Sequence, residues 1–303
     1  MFIQTKSVIT LALVLGFAAV PRVTVAQDRN DPLFQAGARE LGASGEDQEL
    51  KKQGLDALAR AKQTGKLTAC TDGATYPYAT SDGEPPGFDI EIFRAIAAKA
   101  GLRPHIFWAD TGSRGGLGKA LRNSIDKGVC DFFMGLAYGD DEEIKDHKLA
   151  LTKPYLGMGY VLIVQGKAAG VKTLEEAKKN KIKIGVSMST PLDDYLFTNG
   201  YDRSVYLQNR RIMDAMNKGE IDAGMVWSTA LGEAKKEFPN AKFKLADGFV
   251  PKEGLRFNAG WAVKAKDASM KQFVEESFEA LLKSGEIKKI VESYGIPFYQ
   301  PFP

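Results

Sequence analysis

From Lys66 onward the chain alternates short apolar runs, bounded by glycine or polar turns, with longer stretches whose apolar residues recur at helical spacing. That alternation is the strongest constraint on the fold. Strands separated by helices of about 10–15 residues pair as right-handed βαβ units in a parallel sheet. The run Val129-Cys130-Asp131-Phe132-Phe133-Met134-Gly135-Leu136 suits a strand buried on both faces. It breaks into Gly139 and four acids, Asp140, Asp141, Glu142 and Glu143, before Thr152-Lys153-Pro154-Tyr155 closes the segment. A doubly wound domain presents its ligand-facing groups beyond the carboxyl ends of its strands, so this polar loop is a candidate binding loop.

Taken in order, the first set has strands at 67–71, 103–109 and 129–136. Its helices run from Gly87 through Lys99 and over 113–127, and a turn-rich loop at 72–86 carries Tyr76-Pro77-Tyr78. A second set has strands at 159–164, 181–186, 204–208, 221–227 and 241–245. Its helices lie at 173–179, 191–199, 209–218 and 229–238; Thr173 caps the first, and Glu175 and Glu176 sit where the helix dipole favours anions. Residues 257–263 read as a strand returning to the first set, followed by helices at 269–283 and 286–294 and a proline-bounded tail. Two βα lobes joined by two crossing strands form a hinged cleft. The expected fold class is therefore α/β and two-lobed, with one lobe from 66–157 plus 254–303 and the other from 158–253. Ahead of them, 27–65 reads as a polar extension ending in an amphipathic helix over 49–62 (Leu50, Leu55, Leu58), stopped by Gly65. That helix is either packed outside the first lobe or a docking arm.

Residues 1–26 read as a secretory signal peptide: Lys6 supplies a thin positive start, 7–20 is apolar but too short to span a bilayer, and Thr24-Val25-Ala26 offers a cleavage site. The competing reading is an N-terminal anchor, which lacks a stop-transfer pattern. The mature chain is expected in the periplasm, without membrane insertion. The 41 basic and 38 acidic residues become still closer to balance once Lys6 and Arg22 leave with the leader. Scattered, balanced charge argues against a nucleic-acid partner, which needs a basic stripe.

Cys70 and Cys130 are the two cysteines, each placed in an expected buried strand of the first lobe. In an oxidising compartment they form either a disulfide or a pair of buried thiols. A bridge closing about 60 residues would stabilise by roughly 4 kcal/mol in the chain-entropy treatment. No metal constellation is present, and enzyme signatures fail. Gly112 to Lys119 is one residue too long for a phosphate loop, Gly185 to Ser189 lacks the last glycine of a nucleophile elbow, and 82–89 lacks calcium-loop spacing. His105 and His147 show no evident partner. Neither catalysis nor a cofactor of its own is expected. Trp108 and Trp261, inside apolar strands, are expected in the core.

Five motifs in order resemble the amino-acid receptors among periplasmic solute-binding proteins, with the type II periplasmic-binding-protein fold. They are Leu67-Thr68-Ala69-Cys70-Thr71-Asp72-Gly73, Tyr76-Pro77-Tyr78, Gly87-Phe88-Asp89-Ile90-Glu91, Gly185-Val186-Ser187-Met188-Ser189-Thr190, and Gly219-Glu220-Ile221-Asp222-Ala223 with Trp227. The resemblance implies an amino acid held by an arginine after the third strand, hydroxyls at a second-lobe helix start, and an aspartate ending a later strand. Arginine suits a carboxylate and aspartate an ammonium. Here Ser189 and Thr190 keep the hydroxyls, while the acidic run stands at the arginine position and Trp227 at the aspartate position. A standard α-amino acid is therefore not the expected ligand. The residues expected to face the cleft, or a partner, are Asp72, Tyr76, Tyr78, Arg114, Tyr138, Asp140, Asp141, Ser189, Thr190 and Trp227.

Further stretches, Arg114-Gly115, Leu121-Arg122-Asn123, Gly128-Val129-Cys130-Asp131, Thr152-Lys153-Pro154-Tyr155 and Tyr294-Gly295-Ile296-Pro297, with Cys70, look like the MxaJ/XoxJ proteins. These are receptor-like periplasmic accessories of pyrroloquinoline-quinone methanol dehydrogenases. That resemblance implies dehydrogenase subunits, or their quinone cofactor, as partners. The alternative is a receptor that passes a small solute to an ABC permease. The acidic run is either a solvated loop or a surface offered to a partner.

Overall fold

The computed structural model describes residues 49–50, 53–138 and 141–303. The expected signal peptide, the front of the extension and Asp140 lie outside the described residues. The expected helix over 49–62 is interrupted: Glu49 and Leu50 are helical, Gly54 turns, and a new helix α1 runs Ala57–Thr64. Asp56 is the reason for the restart, because its carboxylate accepts the Ala59 amide at 2.7 Å and caps α1. Gly65, in the left-handed conformation, ends it as expected.

Strand β1 (Lys66–Thr71) leads into a small hairpin, β2 (Ala74–Thr75) and β3 (Ala79–Thr80), and then helix α2 (Phe88–Lys99). Strand β4 (Arg103–Trp108) and helix α3 (Gly116–Asn123) follow, α3 being shorter than the expected 113–127. Strand β5 (Phe132–Ala137) starts after Cys130, so that cysteine lies on the turn before the strand rather than in it. The acid-rich stretch is not an open loop: it forms helix α4 (Asp141–Asp146), pinned by Ile144, which is buried among Leu121, Phe133 and Leu149. A short unforeseen strand β6 (Leu149–Leu151) precedes the long crossing strand β7 (Leu156–Val164).

The second set comprises helix α5 (Leu174–Lys179), strand β8 (Ile184–Ser187), helix α6 (Pro191–Thr198), strand β9 (Arg203–Tyr206) and helix α7 (Asn209–Asn217). Strand β10 (Ala223–Trp227), helix α8 (Ala230–Glu237) and strand β11 (Lys244–Leu245) complete it. Strand β12 (Arg256–Lys264) crosses back, and helices α9 (Ala268–Ser284) and α10 (Glu286–Ser293) close the chain.

Among the described residues the strands are ordered β4-β1-β5-β12-β7-β10-β8-β9, with β6 on β12 and β11 on β7. β1 is parallel to β4 and β5, and β8 is parallel to β9 and β10. The sheet is not parallel throughout, because the crossing strands run back: β12 is antiparallel to β5, and β7 is antiparallel to both β12 and β10. Each half therefore keeps its βαβ core and the join between halves is antiparallel.

Two clusters fill the first lobe, one of them aromatic-rich. Phe132 stacks on Trp261 at 4.9 Å between ring centres, with Phe278 edge-on to Trp261 at 4.8 Å. On the opposite face Cys70, Leu121, Ile125, Cys130 and Phe133 pack together. In the second lobe Leu162, Ile184, Val186, Leu192 and Met225 form one layer, and Val161, Ile163, Ile212, Met216 and Val226 the other. Each such fully buried side chain contributes about 1.5–3 kcal/mol of apolar burial. Trp261 is core as expected, but Trp108 is 41% exposed, on β4, which is the outermost strand of the sheet among the described residues. No helix among the described residues is long and apolar enough to cross a membrane.

Candidate functional site

The site grows from the carboxyl end of β1. Asp72 accepts the Ala74 amide at 2.8 Å through one oxygen, and the Thr111 amide at 2.9 Å and the Thr111 hydroxyl through the other. Burial pulls its carboxyl up, but these hydrogen bonds outweigh it and leave the pKa below the ordinary value. Asp72 thus spends both oxygens on tying the hairpin loop to the turn after β4.

The tip of that hairpin carries Tyr76, Pro77 and Tyr78. Tyr78 lies 4.8 Å from the Phe88 ring and donates its hydroxyl to Met158 Sδ at 2.8 Å. Burial pushes its pKa up to about 12, against the pull of Trp227 and Thr229, which lean on the hydroxyl from the second lobe. Pro77 rests against Gly232 of α8. Tyr76 packs 6.1 Å from Tyr294 and lies under the Lys236 ammonium at 4.8 Å; burial and the nearby Glu233 raise its pKa. The loop of one lobe is therefore in direct contact with a helix of the other.

Trp227, at the end of β10, meets Tyr160 edge-on at 5.2 Å and Phe257 at 5.6 Å. Burial raises the Tyr160 pKa while the Thr190 hydroxyl hydrogen-bonds to it and lowers it. Thr190 caps α6 by accepting the Asp193 amide at 3.2 Å, and its hydroxyl donates to the Ser187 carbonyl at 2.8 Å. Ser189, exposed and left-handed at φ 57°, donates its amide to Asp193 at 3.1 Å. Ser189, Thr190, Asp193, Phe197 and Arg203 line an open groove of about 480 Å³ on this lobe.

Thr190, Trp227, Tyr78 and Tyr76 are joined through the intervening Tyr160 and α8. Arg114 is exposed on the turn before α3. Tyr138 is committed to structure: its hydroxyl donates to the Thr152 carbonyl and its amide to Asn258 at 2.8 Å. Asp141 opens α4, and Asp140 lies outside the described residues. His147, which had no evident partner in sequence, stands 2.5 Å from Asp126 through Nδ1. Sequence reasoning missed Tyr160, Phe257, Met158 and Lys236. An aromatic residue in a crossing strand was the only signal available for Tyr160 and Phe257, and Met158 gave none beyond its apolar run. Among the described residues no cluster of histidine, cysteine or acids could hold a metal ion.

The arrangement offers aromatic faces, capped hydroxyls and a sulfur, suited to holding a molecule. Its order of parts has counterparts elsewhere. A model of the bacterial extracellular solute-binding proteins, family 3, matches residues 67–297. The probable amino-acid ABC transporter-binding protein of Haemophilus influenzae is 24% identical over 250 residues, 80% of this chain and 89% of its own. The probable amino-acid-binding protein YxeM of Bacillus subtilis is 23% identical over 226 residues, 73% of this chain and 81% of its own. Among solved structures, the unliganded, open L-cystine solute receptor of Neisseria gonorrhoeae superimposes with a TM-score of 0.64 at 18% identity, over 78% of this chain and 95% of its own. An ancestral cyclohexadienyl dehydratase does so at 0.60 and 19%, over 79% and 96%. At these identities the structural likeness shows the fold.

Proposed function

The chain belongs to the bacterial extracellular solute-binding proteins, family 3, and from that premise we propose an exported binding protein whose cleft takes a small solute other than a standard α-amino acid and hands it to an ABC permease. The moving bodies in this reading are 66–157 with 254–303 and 158–253, turning about β7 and β12. Trp227 carries the argument. At the strand end where the receptors resembled here keep an aspartate for the ammonium, the indole is wedged between Tyr160 and Phe257. An aromatic ring cannot replace a carboxylate as an ion-pair partner, and by the same resemblance the acidic run 140–143 replaces the arginine that clamps the carboxylate. The curated relatives, both probable amino-acid-binding proteins, support the transport role more than this ligand choice. A thermal-shift panel tests it, since a ligand that binds only the folded state raises Tm. The twenty standard amino acids are expected to give no shift, and a solute from another class to give one; a shift with any standard amino acid overturns the reading.

A second reading is favoured by two observations. Cys70 and Cys130 form a bridge, with Cα atoms 5.7 Å apart, and the Tyr294-to-Pro297 segment is built into the contact between lobes, with Ile296 against Gly232. Both belong to the pattern that resembles the accessories of methanol dehydrogenase. In that role the lobes hold the dehydrogenase subunits or their quinone cofactor. Deleting the gene and assaying periplasmic methanol dehydrogenase tests it: full activity sinks this reading and leaves the receptor reading standing.

A further inference from the structure

The last residues of the chain do more than trail from α10. Residues 297–303 contain Pro297, Pro301 and Pro303, which fix φ and narrow the unfolded ensemble, so ordering the segment costs less entropy than for an ordinary tail. Neighbouring side chains of an extended chain point opposite ways. Phe298 packs on the aromatic core of the first lobe, and Tyr299 packs on the second-lobe layer of Ile163, Met213 and Val226. The Tyr299 hydroxyl donates to the Phe249 carbonyl at 3.1 Å, also in the second lobe, and burial raises its pKa to about 12.

Between these anchors the segment grips both crossing strands at one rung. Gly157 of β7 is paired with Asn258 of β12. The Gly157 amide donates to the Tyr299 carbonyl at 3.0 Å, forming a bridge. The Asn258 side chain takes the Phe302 backbone with both ends, accepting its amide at 2.8 Å and donating to its carbonyl at 2.9 Å. The Arg256 guanidinium lies over the Phe302 ring at 4.5 Å. Gly157 is glycine for closeness: a Cβ there would stand 2.6 Å from the Gln300 carbonyl oxygen and 2.8 Å from the Phe302 ring. Hinged proteins absorb rotation at a few backbone positions in such crossing strands. A segment fastened to both lobes and to that rung resists the rotation.

We propose that residues 298–303 are a brace across the hinge that sets the resting angle between the lobes and limits how far they turn about β7 and β12. They lie just beyond residues 67–297, which match the family. It is independent of which ligand or partner the cleft takes.

Both cysteines are in the bridge, so labels can be placed without disturbing the fold by Lys127→Cys on the first lobe and Lys179→Cys on the second. Pulsed spin-label distances are measured in the full mature chain, in the chain lacking 298–303, in Asn258→Ala and in Tyr299→Phe. Loss of the brace is expected to broaden and shift the interlobe distance distribution in the truncated chain, and in the same sense in Asn258→Ala and Tyr299→Phe. Asn258→Ala placed in the truncated chain is expected to add nothing, because both changes remove one interaction. Distributions that superimpose on the intact chain overturn the proposal. If the truncated chain fails to show a cooperative melt, the two single substitutions decide, and unchanged distributions in both overturn it.

Discussion

Tyr155 donates its hydroxyl to Asp89 Oδ1 inside the first lobe, so the first turn of α2 holds the residue that leads into β7. Trp261 Nε1 donates to the same oxygen at 3.3 Å, which ties β12 to the same carboxyl. Both crossing strands are thus fastened to one buried acid, whose other oxygen has no hydrogen-bond partner among the described residues. Burial raises the Asp89 pKa to about 7, overriding the lowering by Tyr155 and Trp261; Tyr78 is the other titratable group facing it. A folded pKa above the unfolded value means the folded state holds the proton more tightly. The stability it contributes is full below about pH 4 and is lost as pH rises through about 7.

Urea melts of the disulfide-intact protein are therefore expected to be firmer at pH 5 than at pH 8, by about 2–3 kcal/mol from this group. Acids with lowered pKa, such as Asp72, are already ionised at pH 5 and add no slope above it. Asp89→Asn is expected to flatten the difference. A wild-type stability that rises between pH 5 and 8 sinks the assignment.

The Cys70–Cys130 bridge closes 60 residues, linking β1 to the turn before β5. Constraining the unfolded chain over that span is worth about 4 kcal/mol. Unfolding midpoints with and without reductant are expected to differ by that order. Thiol titration of the unfolded, unreduced protein is expected to find none.

Gly87 sets the aromatic loop. Its φ of 110° lies where side chains are rarely tolerated, and a Cβ would stand 2.2 Å from the Tyr78 carbonyl oxygen. Gly87→Ala is expected to cost about 3 kcal/mol or more and to loosen Tyr76 and Tyr78. Hydrogen exchange at the Phe88 and Asp89 amides, bonded to Pro77 and Tyr78, reports the loosening directly.

Much of the frame was legible because its signals are local. Apolar runs bounded by glycine became β1, β5, β7 and β12, and Thr173 and Thr190 announced their helices by capping them. What failed depended on neighbours far away in sequence. Trp108 reads as core, yet β4 turns out to be the outermost strand among the described residues and leaves it exposed. The acids of α4 read as an open loop, because Ile144 alone carries the apolar signal for a helix so short. Asp89 reads only as part of a helix-start motif; its burial depends on Tyr155 and Trp261, which are distant in sequence. Of the expected cleft residues, Tyr76, Tyr78, Thr190 and Trp227 are linked in one place, while Asp72 and Tyr138 spend their polar atoms on holding loops.

Trp227 gives the sharpest test of the ligand reading. Its ring touches Tyr160 and Phe257 and packs on the first-lobe core, so it is half-buried among groups that cannot solvate a charge. Trp227→Phe keeps an aromatic face and is expected to cost about 1 kcal/mol, with the hydrogen bond toward Tyr78 lost. Trp227→Asp restores the acid that amino-acid receptors of the resembled type carry, but places it without a cation; it is expected to cost about 3 kcal/mol. No amino-acid binding is expected to appear, because the carboxylate clamp is still missing and α4 keeps its acids. Melting curves give the first quantity and thermal shifts with glutamine, arginine and cystine the second. If Trp227→Asp shifts with any of these ligands, Trp227 alone bars amino acids and the claim that the acids of α4 also bar them fails; a shift of the parent with any of them overturns the exclusion itself.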